Sequence, residues 1–433
     1  MQTGGSARTR LGKLARRLAL GAAVAALFSP AAGLAKDSTY KDTYDFTGAN
    51  DQVTPYGEFI QAPNGKLYGA LFINDSMIYD TDGEGSFNVD WWGDDGNVCG
   101  YGMTVGTDGA LYGTCTEWQY NGNSSGIVFR FDPDGGGFTV LYSFPAFNNG
   151  VSEALSPLTL GPDGNFYGTT RGDDVNVYGT VFQVTPGGKL TTLHAFTNRH
   201  GDGATPSSGG TYVGNAIHLT LGSDGNLYGT TDGGGDHGSG TVYRITPSGT
   251  VTILYSMTRS MPCSCTGVTE VNGNLYGQTH VGGGPQNEGT IFQLTPDGTL
   301  TTLHKFDAAR DSAEYPELPL TLGNDDNLYG ASPSFTGGYG PESLYRITPA
   351  GKYTDLYNKF ALPTDNDCNN GLVGCFENAP LYQATNGYYY GVTLWGGANS
   401  KGSMFRLKVR GAAPFVRPLL PVARPGQWLG ILG

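Results

Sequence analysis

The sequence predicts an all-β fold, a seven-bladed β-propeller with four antiparallel strands per blade, and three observations carry that reading. A phrase close to Asp-Gly-Asn-Leu-Tyr-Gly returns seven times, with tyrosines at 68, 112, 167, 228, 276, 329 and 390. Each return sits in the same order of apolar stretches and turns. Outside the first 35 residues no segment keeps an apolar period of 3.6, so helices are not expected. Similar units repeated at this spacing mean an array of supersecondary modules.

Residues 1–35 read as an export signal. Arg8, Arg10, Lys13, Arg16 and Arg17 form a basic start, and Leu18 to Phe28 is an apolar stretch too short to span a bilayer. Gly33-Leu34-Ala35 places small residues for cleavage after Ala35. General secretion is expected, because the residues around Arg16-Arg17 fit a twin-arginine signal poorly. The protein is then secreted, periplasmic or at the cell surface.

The propeller is expected over 36–410. In each unit an apolar stretch such as Pro157-Leu158-Thr159-Leu160 precedes the Tyr-Gly phrase. A Gly-Thr-Val-Phe stretch follows, as at Gly179 to Phe182, and then a Thr-Pro-x-Gly turn and a second apolar strand, as at Leu190 to Phe196. These are four short strands of β-branched and aromatic residues. Both short turns carry residues that tolerate a left-handed backbone. The strands are apolar on both faces, as sheets packed on both sides require. Thr39 to Phe46 matches the fourth strand of a unit, while the last unit ends on its third strand, around Met404 to Val409. The N-terminal strand should therefore complete the last blade, close the ring and remove an open edge. The 70 glycines suit tight turns and close blade packing. Residues 411–433, with four prolines at 414, 418, 421 and 425, are expected to form a non-helical extension.

Without the five basic residues of the leader, 20 Lys and Arg face 38 Asp and Glu, a net charge of −18. Such a surface repels phosphate backbones, so nucleic acid is a poor partner. No transmembrane segment is expected in the mature chain, and a monomer is expected.

Six cysteines in an exported chain point to disulfides. Cys99 and Cys115 are symmetric about a hairpin turn and make the best pair; Cys368 and Cys375 could close a short loop. Cys263 and Cys265 are left over, since a bridge between them is expected to be strained. No zinc-ligand spacing accompanies any of the six.

Strands a to d of a blade run outward from the axis, so a–b and c–d turns share one face and b–c and d–a connections the other. The first set is short and uniform; the second holds all the length variation. Function tends to ride on variable loops over a rigid scaffold. The candidate ligand-binding residues are therefore Trp91, Trp92, Asp94, Trp118, Arg171, Asp173, Asp232, His237, His280 and Trp395. Aromatic rings beside carboxylates suit sugar binding, although acidic loops and loop-pinning tryptophans are also ordinary in exported proteins.

No catalytic residue emerges. Paired loop carboxylates are abundant, which makes a glycosidase pair a weak signal. Asp80-Thr81-Asp82-Gly83-Glu84-Gly85 and Asp232-Gly233-Gly234-Gly235-Asp236 loosely resemble oxygen-rich Ca²⁺ loops, but turn chemistry accounts for both. No other cofactor is expected. His194 and His304 stand where other units carry tyrosine, which indicates packing. No Gly-x-Ser-x-Gly elbow is present, and the tripeptide Arg171-Gly172-Asp173 is too short to weigh.

The ordered set Asp-Gly-Asn-Leu-Tyr-Gly-Thr-Thr, Gly-Thr-Val-Phe, Thr-Pro-x-Gly and Leu-Thr-Thr-Leu-His-x-Phe resembles the GloVer (Gloeo-Verruco) tandem repeat. Its clearest copies are Asp163 to Phe196, Asp224 to Met257 and Asn272 to Phe306. The resemblance covers most of residues 38–410 and implies an exported bacterial repeat protein. It brings no catalytic residues to transfer. Members often carry a C-terminal surface-sorting signal; none is seen in this chain, so free secretion or periplasmic residence is expected. Three functions are compatible: a non-enzymatic propeller binding a glycan or extracellular protein, an extracellular polysaccharide hydrolase or lyase, and a structural surface module.

Overall fold

The computed structural model describes residues 38–47, 54–72, 76–92, 97–98, 102–118, 124–145, 156–170, 178–198, 201–204, 206, 218–263, 265, 267–284, 287–307, 310–311, 315–316, 318–332, 343–358, 380–393, 399, 402–418 and 431–432. Seven of their nine sheets are arranged as a propeller. Blade 1 is Thr54–Gln61, Leu67–Phe72, Ser76–Thr81 and Asn88–Trp92. Blades 2 to 6 follow over 103–143, 159–195, 220–256, 268–305 and 321–358. Blade 7 is Tyr382–Gln383, Tyr389–Thr393, Ser403–Val409 and, as strand d, Ser38–Asp45 from the other end of the chain. The ring thus closes as the sequence predicts, with Ser38 opposite Val409 and Asp45 opposite Ser403.

One contact explains why two distant phrases recur together. The glycine of each Tyr-Gly phrase lies under the ring of the aromatic in the next strand. A Cβ on Gly277 would stand 2.4 Å from Phe292, and one on Gly391 2.3 Å from Phe405. Gly69, Gly113, Gly168, Gly229 and Gly330 face Tyr79, Phe129, Phe182, Tyr243 and Tyr345 in the same way. These aromatic rings are at most 1% exposed and fill the gaps between blades. No other residue than glycine admits them.

The aspartate and tyrosine of the phrase are also coupled. Asp163 accepts from the backbone N–H of Asn165 at 3.2 Å and from the hydroxyl of Tyr167 at 2.9 Å. Asp224–Tyr228 and Asp325–Tyr329 repeat the bond at 2.9 and 2.8 Å. The turn that opens strand b is thereby tied to that strand's own buried ring. Blade 5 departs from the pattern: Val271 pairs Asn274 across a two-residue hairpin in which Asn272 and Gly273 both have positive φ. That is the tight turn an Asn-Gly pair favours.

A girdle of threonines ties neighbouring blades near the axis. The strand-a residue opposite the repeat tyrosine is Thr104, Thr159, Thr220, Thr269 or Thr321 in blades 2 to 6, and Ile60 and Tyr382 in blades 1 and 7. Thr159, Thr220, Thr269 and Thr321 each donate a hydroxyl proton to a carbonyl of the next blade, those of Leu219, Val268, Leu320 and Leu381. Thr220→Val keeps the shape and removes one such bond. It should lower the unfolding free energy by about 1 kcal/mol, read as a shift in the chemical-denaturation midpoint. An unchanged midpoint would show that the girdle carries no stability.

The cysteines depart from expectation at one place. Cys263 and Cys265, left without partners in the sequence reading, are bonded to each other, with Cα atoms 4.6 Å apart. The d–a connection of blade 4 turns back on itself here, Met261 N–H bonding Thr258 O and Cys263 N–H bonding Ser239 O. Cys115 is also disulfide-bonded; Cys99, Cys368 and Cys375 lie outside the described residues.

The start of the C-terminal extension docks on blades 6 and 7. Phe415 N–H donates to Thr385 O at 2.8 Å, and Asn324 Nδ2 donates to Ala413 O at 2.8 Å. Arg417–Pro418 then pairs with Ile431–Leu432; Trp428 and Leu429 lie outside the described residues. No helix among the described residues is long and apolar enough to cross a membrane.

Candidate functional site

The two faces of the ring differ chemically. The a–b turn face carries the aspartate–tyrosine turns and, over blades 6 and 7, residues 413–415. On the opposite face, loops of different blades join one another. Gly203–Ala204 of the d–a connection after blade 3 pairs with Gly233–Gly234 of the b–c connection in blade 4. In blade 5 the half-buried His280 packs on Tyr315, ring centroids 5.3 Å apart, and burial holds its pKa below the ordinary histidine value.

A cavity of about 390 Å³ runs along the axis, lined by the innermost strands of the blades. That lies within the usual range of small-ligand sites. Four of the girdle threonines line it together with Thr104, Ile60 and Tyr382. Two residues nearer the variable loops, strand a carries Pro157, Pro319 and Pro380 in three blades and Gly102 and Gly267 in two. The remaining two blades carry Glu58 and His218, both part of the cavity wall. This layer therefore has only two side chains able to bond a ligand. Burial pushes the His218 pKa down to about 4, so at neutral pH the ring is uncharged. It then offers one donor and one acceptor.

The depressed His218 pKa has a definite consequence. Unfolded, the imidazole binds a proton near pH 6.5; folded, it does so only near 4. Between these values the unfolded chain holds the extra proton, so stability falls as pH drops from about 6.5 to about 4. His218→Gln should flatten that acid limb in thermal melts between pH 4 and 7. An identical limb in the variant would show that His218 does not set it.

The candidates drawn from the sequence fare differently. Trp91 lies inside strand d of blade 1, its ring stacked on Phe138 of blade 2 at 3.9 Å. It packs two blades rather than standing in a loop. Trp92 and Trp118 end strands of blades 1 and 2, and their side chains lie outside the description. Asp94, Arg171, Asp173 and Trp395 lie outside the described residues. Asp232 is half-buried and His237 exposed in the b–c connection of blade 4.

The first of the two loops that loosely resemble Ca²⁺ sites is held by protein groups at several of its oxygens. Asp80 bonds Lys66 at 2.6 Å and Asn88 at 3.0 Å, and Asp82 takes the N–H of Glu84 at 2.8 Å. Glu84 pairs with Arg406. Among the described residues no group of three or more His, Cys, Asp or Glu could hold a metal. His194 and His304, read as packing residues, also bond Asp202 at 3.3 Å and Asp311 at 2.9 Å. Those aspartates in turn hold the start of their loops, through the N–H of Thr197 and of Asp307.

Sequence reasoning missed Glu58 and His218. Their signal was present: alignment on the tyrosines puts them where other units carry Pro or Gly.

Comparison with known proteins gives a family and a fold. A family model described as the Gloeobacter/Verrucomicrobia repeat matches residues 34–218 and again 215–417. No curated protein matches the sequence. Among solved structures, an oligogalacturonate lyase in complex with manganese is similar with a TM-score of 0.55 and 13% identity, over 87% of this chain and 97% of that one. An oligogalacturonate lyase from Vibrio parahaemolyticus gives 0.52 and 10%, over 87% and 98%. At these identities the likeness is one of fold.

Proposed function

The chain belongs to the Gloeobacter/Verrucomicrobia repeat family, and from that premise we propose that it is an exported, non-enzymatic propeller. It binds a glycan through the face that bears its variable loops. One observation carries the reading. The axial cavity meets that face through a layer stripped to proline and glycine, except at Glu58 and His218. Ligand sites are mostly plain walls with a few well-placed polar groups.

The second reading is a lyase or hydrolase acting on extracellular polysaccharide; the two similar structures are named oligogalacturonate lyases. It needs a general base at the cavity. A base is most effective with a pKa near the working pH, and His218 lies near 4.

A glycan array probed with the chain from residue 36 onward tests the proposal, followed by incubation with each hit and analysis for shortened or unsaturated products. Binding without product is the expected result. Product formation would replace the proposal by the enzyme reading. Absence of binding to any glycan would leave a protein ligand or a structural role.

A further inference from the structure

Resting on the glycan reading, we infer that His194 and His304 are positioning residues, each latching to the scaffold the loops that carry Asp232, His237 and His280. The place they occupy holds a flat ring in every blade. Beside the strand-d bulge it is Trp91, Tyr142, Tyr255, Tyr357 and Tyr44 in blades 1, 2, 4, 6 and 7, and His194 and His304 in blades 3 and 5. The two imidazoles pack as the other rings do. His304 stacks on Tyr353 at 4.2 Å, and His194 meets Phe196 edge-on at 4.8 Å. What they add is a bond to an aspartate of the d–a connection that follows.

In blade 3 the latch reaches across to blade 4. Asp202 Oδ1 accepts from His194 Nε2 at 3.3 Å and from Gly203 N–H at 3.0 Å. Its Oδ2 takes the N–H and the hydroxyl of Thr197, both at 2.9 Å. A carboxylate only accepts, so the imidazole nitrogen carries the proton. Gly203–Ala204 then pairs with Gly233–Gly234, and Gly235 N–H donates to Asp202 O at 2.9 Å. Asp232 and His237 flank that pairing, so their place is set from strand d of the preceding blade. In blade 5 Asp311 Oδ2 accepts from His304 Nε2 at 2.9 Å and from Asp307 N–H at 3.0 Å. Further along the same connection, Tyr315 N–H donates to Glu288 O at 2.8 Å, and the Tyr315 ring packs on His280. Asp202 and Asp311 are only 18% and 12% exposed, where a hydrogen bond competes less with water. Loops fixed before a ligand arrives lose less freedom on binding. The imidazoles thereby raise affinity without touching the ligand.

Two kinds of substitution separate latch from packing. His→Phe keeps the ring and removes the donor; His→Gln keeps a donor at similar reach and removes the ring. Neither aspartate is orphaned by His→Phe, because Gly203 and Asp307 still donate to the same oxygens. The chains His194→Phe/His304→Phe and His194→Gln/His304→Gln, from residue 36 onward, are compared with the parent on the glycan array and by amide hydrogen exchange. The phenylalanine variant should exchange at least about tenfold faster at Gly235 and Tyr315. Gly249, in a turn on the opposite face, should not change. Signal on the glycans that the parent binds should fall at least about fivefold. The glutamine variant keeps the hydrogen bond and should stay within about twofold of the parent in both measurements. Three results overturn the inference and leave the glycan reading intact: unchanged exchange at Gly235 and Tyr315 in the phenylalanine variant, parent-like binding by that variant, or a glutamine variant that loses as much. An array on which the parent binds nothing overturns both.

Discussion

Gly277→Ala should destabilise the protein by about 3 kcal/mol, at the upper end of the usual cost of overpacking a core. The added Cβ would stand 2.4 Å from Cζ, 2.9 Å from Cε1 and 3.1 Å from Cε2 of Phe292. That ring cannot step aside. It is 0% exposed and belongs to a cluster with Tyr228, Met257, Val268 and Leu294. Gly284→Ala is the control, since nothing lies within 4 Å of its Cβ position; it should stay within about 0.5 kcal/mol of the parent. Phe292→Leu in the Gly277→Ala background removes the rim of the ring and should recover part of the loss, a coupling that a double-mutant cycle reads directly. A Gly277→Ala midpoint equal to the control would show that the glycine is not kept for the ring.

Removal of residues 1–47 should abolish the folded monomer. Blade 7 would lose its strand d, and Ser403–Val409 would become an open edge, a template for association with other chains. Side-chain packing falls with it. Tyr40 stacks on Tyr357 at 4.3 Å and on Phe405 at 5.1 Å, Tyr44 stacks on Phe87 at 4.9 Å, and Phe46 is fully buried. The strand thus joins blade 7 to blade 6 on one side and blade 1 on the other. Size-exclusion chromatography should show aggregate or expanded chain in place of a compact monomer. A synthetic peptide of residues 36–47, supplied during refolding, should restore the compact species. A truncated chain that remains compact and monomeric would mean that six complete blades and a three-stranded seventh suffice.

Much of this was legible because the repeat is built from local rules. The Asp-to-Tyr bond spans four residues, and the Gly-to-aromatic contact joins neighbouring strands, so the same kinds of residue recur in the same order from blade to blade. Blade 6 shows how tolerant the rule is: Asp326 replaces the turn glycine and adopts a φ of 59°. The cysteines were less legible. Whether Cys263 turns to Cys265 depends on how the d–a connection of blade 4 folds back over Ser239, which no short-range pattern records. Trp91 looked like a loop residue because the sequence does not mark where strand d ends.

By itself the sequence determined the number of blades, the order of their strands and the closure of the ring, because turn chemistry and strand alternation act within a few residues. Only the tertiary structure decided which side chains face the axis. Glu58 and His218 lie three blades apart in the chain, and nothing local links them. Ring closure brings their layer together, and the hydroxyl protons of the girdle are committed only once neighbouring blades are in place. The chemistry of the cavity is therefore a property of the closed ring rather than of any single repeat.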